Sequence, residues 1–143
     1  AGRNSVSDLG FEEELCRHTG WNPLWAKPYV VDADSGLVDM IGRDDMVRGN
    51  TISAVGFYGP QGRELRLPLA NPDLNSRIEG FEYKGRRITN YEMESAPLQG
   101  LCRLLGHRAM TVCSIIANRM NNKANPNYKN AMRDLVETVL ERI

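Results

Sequence analysis

Apolar positions along the chain fall into two rhythms, steps of three and four residues and short β-branched runs. Asp8 to His18 reads as a helix. Asp8 can cap it, Glu12 to Glu14 favour its positive end, Leu9, Leu15 and Cys16 share a face, and Gly20 stops it. Tyr29-Val30-Val31 predicts a strand over Pro28 to Asp32, and Ser35 to Ile41 predicts a second helix ending at Gly42. Thr51 to Phe57 predicts a strand that runs into the turn Tyr58 to Gly62.

Pro68, Asn71-Pro72 and Gly80 punctuate residues 68 to 80, which read as loop. Phe81 to Arg87 has the pattern of a hairpin turning at Tyr83-Lys84-Gly85-Arg86, and Ile88 to Tyr91 is extended. A helix is expected from Ser95, as N-cap, to about Leu105, with Pro97 tolerated in its first turn and Gly106 as its stop. Arg108 to Ala117 has the apolar, β-branched look of a buried strand. Asn121 to Asn127 reads as loop. Tyr128 to Ile143 predicts an amphipathic helix with Met132, Leu135, Val136, Val139, Leu140 and Ile143 on one stripe. Strands alternating with helices predict an α/β layered fold in a single domain, with no internal repeat.

Composition narrows the partners. The 18 basic and 18 acidic side chains cancel, so no global field draws the chain to nucleic acid or an anionic membrane. The longest apolar run, around Thr111 to Ala117, is too short to span a bilayer. No basic segment precedes an apolar run, so the sequence shows no secretory signal. Cys16, Cys102 and Cys113 form neither a Cys-x-x-Cys pair nor a disulfide framework, and are expected as reduced thiols in a cytoplasmic protein. Their spacing from His18 and His107 is not that of a zinc site, so no metal is expected. No phosphate-binding Gly-rich loop and no Gly-x-Ser-x-Gly elbow occurs. The opening Ala-Gly-Arg, without an initiator Met, reads as processing or truncation.

Two stretches carry candidate chemistry. Phe57-Tyr58-Gly59-Pro60-Gln61-Gly62-Arg63 follows an expected strand, where α/β sheets usually bind ligands. Its amide and guanidinium match the edge of a pyrimidine-dione, and its ring could cover the base face. The same residues also describe a surface turn. In Glu92-Met93-Glu94, carboxylates two apart on extended chain point the same way and could accept from vicinal sugar hydroxyls. They equally suit the positive end of the following helix. Arg119 reads as either a ligand-facing or a salt-bridged arginine, and Glu12 to Glu14 as a solvated face.

Thr89-Asn90-Tyr91-Glu92-Met93-Glu94-Ser95-Ala96 resembles the ribose-site segment of the nucleoside phosphorylase family. Phe57-Tyr58 with Gln61 and Arg63 resembles the uracil-gripping motif of its uridine phosphorylase branch, and Ser114 to Arg119 resembles that branch's strand end. The resemblance covers about residues 50 to 143, and implies that the whole chain is the C-terminal, nucleoside-binding half of a three-layer αβα domain with a mixed central sheet. It implies that Gln61 binds N3 and O2 of uracil, that Arg63 binds O4, and that Phe57, Ile116 and Ala117 line the base pocket. Glu94 would hold the ribose hydroxyls with Met93 against the sugar and Glu92 nearby, and Arg119 would anchor a flap from Met120 to Asn127.

The implied reaction is reversible phosphorolysis of uridine to uracil and ribose 1-phosphate, with phosphate as co-substrate and no cofactor. Ile116-Ala117-Asn118-Arg119 lacks the Asp of the purine-specific branch, which points away from purines and from the related hydrolytic nucleosidases. The phosphate-binding residues of the family belong to its N-terminal half, so none is expected in this chain, which should act only with that half and in a homo-oligomer, dimer or hexamer. A broader pyrimidine nucleoside phosphorylase, a non-catalytic nucleoside-binding module and a structural α/β domain are the competing readings.

Overall fold

The computed structural model describes residues 8–118, 121 and 123–143. Its first helix, α1 (Leu9–Thr19), begins where the Asp8 carboxylate accepts from the Phe11 N–H and ends at Gly20, whose φ of 62° turns the chain left-handed. Glycine takes that conformation without steric cost. After α1 come α2 (Ser35–Ile41), β1 (Asn50–Ser53), a 3-10 turn (Gly59–Gln61) and α3 (Leu74–Glu79). The second half holds β2 (Glu82–Tyr83), β3 (Arg86–Glu92), α4 (Ser95–Leu104), β4 (Ala117–Asn118), β5 (Lys123–Ala124) and α5 (Tyr128–Leu140).

β1 pairs parallel to β3, and β2 pairs antiparallel to β3, giving a small mixed sheet in the order β1-β3-β2. β4 and β5 form a separate antiparallel pair. The β2–β3 hairpin turns where expected, with positive φ at both Lys84 (51°) and Gly85 (74°). Two left-handed residues give the turn a twist that matches its flanking strands. The architecture is therefore a mixture of helix and sheet, consistent with an α/β fold.

The core lies between α1 and the hairpin. Phe11 and Phe81 are each 1% exposed and meet edge to face, with ring centroids 5.1 Å apart, beside Leu15. Val30, Tyr83 and Ile88 close around them. The guanidinium of Arg86 lies 4.7 Å over the Phe11 ring and bridges to Asp8, tying the helix start to β3.

Several expectations fail for physical reasons. Residues 68 to 80, read as loop, contain α3, because Ile78 is buried and Arg77 donates to the Thr19 carbonyl at the end of α1 (3.0 Å). Tertiary packing overrides the local Pro signals there. Pro28 to Asp32 is not a strand, and of Arg108 to Ala117 only Ala117 belongs to one. Likewise β1 stops at Ser53, short of Phe57. A strand exists only with a ladder partner, and local propensity supplies none. Part of the expected 121 to 127 loop is instead β5. α5 forms with the expected stripe, yet none of its described residues is buried, and Met132, Val136 and Leu140 stay at 41%, 50% and 61% exposure. It is moored at its end by Arg142, which donates to the Ile41 carbonyl (2.7 Å) and pairs with Asp45 (2.5 Å).

Replacing Phe81 by Ala removes half of the central ring pair. We expect Phe81→Ala to lower unfolding free energy by about 3–5 kcal/mol in urea titration. A loss under 1 kcal/mol would mean that this core does not hold the chain together.

Candidate functional site

β3 ends at Glu92, directly opposite Ser53 of β1 in the parallel register. That pairing decides the local chemistry. The Glu92 Oε2 accepts from the backbone N–H groups of Glu94 and Ser95, each at 2.6 Å. Its Oε1 accepts from the Ser95 hydroxyl (2.6 Å) and the Ser53 hydroxyl. Ser53 Oγ in turn accepts from the Ala96 N–H at 2.8 Å. One carboxylate and one hydroxyl thus fasten β1, β3 and the start of α4 together. Ser95, expected as the N-cap, is the first helical residue and is 3% exposed; the free N–H groups of α4 are met by Glu92 and Ser53 instead.

Burial alone would raise the Glu92 pKa, but the bonds from Ser53, Ser95 and the Glu94 and Ser95 amides outweigh it and hold the group below the ordinary value. With Glu92 turned inward, Met93 and Glu94 occupy the exposed corner between strand and helix.

The second stretch leaves β1 through buried Ala54 and reaches the 3-10 turn, which closes at Gly62 with φ 73°. A Cβ on Gly62 would come within 2.1 Å of the Asn75 amide nitrogen, so the close approach needs glycine as much as the backbone angle does. Gln61 is 3% exposed, and its Oε1 accepts from Arg63 Nη1 at 3.0 Å. Arg63 also donates to the Phe57 carbonyl, and its guanidinium carbon sits 3.7 Å from the centre of the Phe57 ring. Phe57, Gln61 and Arg63 therefore form one unit.

A hydrogen-bond chain ties this unit to β3. Asn75 Nδ2 donates to the Gln61 carbonyl (3.3 Å), and Asn75 Oδ1 accepts from the Tyr91 hydroxyl (2.7 Å), one residue before Glu92. Arg63 and Met93, from the two stretches, both line one large cleft, together with Tyr58, Ser95, Ser114 and Ile115. Ile116 and Ala117 are exposed, the Ile116 carbonyl accepting from the Asn125 N–H (2.7 Å) and Ala117 pairing with Ala124. Arg119, Met120 and Asn122, and with them the flap anchor, lie outside the described residues. Ser53, Asn75 and Tyr91 are positioning residues that the sequence reading did not single out, since their roles arise from register and packing.

The thiols of Cys16, Cys102 and Cys113 are free; burial pushes that of Cys113 up, away from the thiolate. Among the described residues there is no group of three or more His, Cys, Asp or Glu side chains placed to hold a metal ion, and no helix long and apolar enough to cross a membrane.

Glu92 gives a testable pH dependence. Its folded pKa lies below the ordinary value of 4.5, so its contribution is fully present above that value and is lost as pH falls through the folded value. Glu92→Gln should cost about 1–3 kcal/mol at pH 7 and remove that share of the acid slope in urea titrations from pH 7 to 3. Equal stability of the two proteins at pH 7 would overturn the fastening role.

No family model and no solved structure matches the chain. Over 81 residues, 52% of this chain, it is 37% identical to the uridine phosphorylase of Thermococcus kodakarensis, covering 26% of that protein. Over 76 residues, again 52% of this chain, it is 34% identical to the inactive uridine phosphorylase B of Schistosoma mansoni, covering 25% of it. The chain thus spans about a quarter of the length of the curated relatives it matches, and over about half of itself it is similar to proteins named uridine phosphorylase.

Proposed function

We propose that this chain is the nucleoside-binding half of a uridine phosphorylase within a three-layer nucleoside phosphorylase domain. The observation that carries the reading is the joined geometry of the two stretches. An aromatic ring, an amide and a guanidinium already assembled at Phe57, Gln61 and Arg63 are linked through Asn75 and Tyr91 to the corner bearing Met93 and Glu94.

On this reading Gln61 and Arg63 address the uracil edge, Phe57, Ile116 and Ala117 its surroundings, and Glu94 the ribose hydroxyls, with Met93 against the sugar. Glu92 holds Met93 and Glu94 in place. Phosphate attacks C1′, the C1′–N1 bond breaks, and its electron pair leaves on the uracil ring. Arg63 and Gln61 stabilise the charge gathering there, an interaction stronger in the transition state than in bound uridine. Phosphate is gripped by the N-terminal half, and no cofactor takes part. Assembly into a dimer or hexamer, a cytoplasmic setting and the flap anchored by Arg119 belong to the same proposal.

The 143-residue chain alone should release no uracil, and phosphate-dependent release should appear once the phosphate-binding half is supplied. Turnover by the pure chain would refute this division of labour. Arg63→Ala and Glu94→Ala should each weaken uridine binding about 10- to 100-fold by calorimetry; affinity unchanged in both would overturn the site. Release of thymine at a rate comparable to uracil would assign a broader pyrimidine specificity. The likeness to a protein named an inactive uridine phosphorylase favours a second reading, a non-catalytic nucleoside-binding module. Uridine binding without phosphate-dependent cleavage, with the other half present, would establish it.

A further inference from the structure

We infer that the short helix α3 is a brace that places the Gln61 turn from the end of α1, with Arg77 as its positioning residue. Resting on the function proposed above, that placement sets how tightly the uracil edge is held. The 3-10 turn fixes its own shape but not its place. Its Gln61 and Arg63 N–H groups donate to the Tyr58 carbonyl, each at 3.0 Å, and its Gly62 N–H donates to the Gly59 carbonyl (2.9 Å). All of these bonds are internal. Tyr58, Gly59 and Pro60 are exposed while Gln61 is buried, so the turn is held on its Gln61 side.

α3 makes contact on that side. Asn75 Nδ2 donates to the Gln61 carbonyl and sits where a side chain on Gly62 would collide with it. Yet α3 has six residues, and its N-cap, Asp73, makes no side-chain capping bond. A helix of that length has little stability of its own, so it is only as fixed as what holds it.

Arg77 holds it from the opposite side. Two residues apart is about 200° around a helix, so Asn75 and Arg77 reach in opposite directions. Arg77 Nη1 donates to the Thr19 carbonyl (3.0 Å), and Thr19 is 0% exposed, its hydroxyl bonded back to the Leu15 carbonyl (2.7 Å). A guanidinium on the last carbonyls of a helix is favoured by charge as well as by the bond. His18 Nε2 lies 3.0 Å from the Arg77 carbonyl oxygen, within hydrogen-bonding distance. A Cβ on Gly20 would come within 2.6 Å of Arg77 Nη1 and push it from Thr19. Each end of α3 therefore seats a polar side chain against a left-handed glycine, Gly20 at the core and Gly62 at the site. Hydrogen bonds weaken steeply as donor and acceptor fall out of line, so a turn free to drift grips a planar ligand edge less well.

The test uses the 143-residue chain with Arg77→Met, which keeps the apolar stem and removes the donor. In hydrogen exchange the Gln61, Gly62 and Arg63 amides should exchange about 10-fold faster while those of Phe11 to Leu15 are unchanged. In calorimetry uridine should bind about 10-fold more weakly. Both effects should vanish when Arg77→Met is added to Asn75→Ala, because the brace acts through Asn75. Turn amides that keep their original rate in Arg77→Met overturn the brace. Effects that persist in full beside Asn75→Ala overturn it too, since Arg77 then contributes only general stability. If Arg77→Met does not fold, Asn75→Asp keeps the acceptor for Tyr91 and removes the donor to Gln61; unchanged turn amides there overturn the brace equally. Faster turn exchange with uridine affinity unmoved upholds the brace and sinks the reading of this turn as the base site, so the two can fail separately.

Discussion

The Glu92 carboxylate is the point at which β1, β3 and α4 meet, and the site exists in its present shape because that half-buried group is turned toward them and ionised. Its four acceptor directions meet two hydroxyls and two backbone amides. A charged group partly withdrawn from water is stabilised when its acceptors are so completely bonded. Everything displayed at the corner follows from this. Turning Glu92 in fixes where the chain leaves the sheet, and so sets Met93 and Glu94 on the outside.

Features that rest on neighbours in sequence were legible before the fold was known. Asp8 and Gly20 bound α1, Lys84-Gly85 turns the hairpin, and the apolar stripe of 128 to 143 makes α5. The candidate residues at 57–63 and 92–94 stand out in the sequence because their chemistry is compact there; the assembly of Phe57, Gln61 and Arg63 into one unit is what the fold adds. Features set by distant partners were not legible. α3 depends on Ile78 and on Arg77 reaching the end of α1. The capping of α4 depends on Ser53, which only the β1–β3 register brings opposite Glu92. Asn75 sits in a stretch that reads as loop, and matters because it touches Gln61 and Tyr91 at once.

The misread strands are instructive in the opposite sense. Residues 28–32 and 108–116 have the composition of buried strands, yet among the described residues they form no ladder. Composition reports what environment such segments suit, and the described residues do not provide it. The unburied stripe of α5 belongs with them, a helix patterned for a core and attached chiefly at its Arg142 end. Local pattern and local burial disagree throughout this flank, whereas they agree around Phe11 and Phe81.

The bond pair through Asn75 also makes the two stretches mechanically dependent. Gln61 at one end and Tyr91 at the other are held by the two atoms of a single side-chain amide, whose carbonyl and amino groups cannot move separately. A displacement of the 3-10 turn therefore rotates the same group that fixes the end of β3. Any free energy gained at one end by straining that amide is felt at the other with equal size, whichever is engaged first. On the function proposed, base and sugar contacts would then be reciprocal, and their affinities would not add as independent sites.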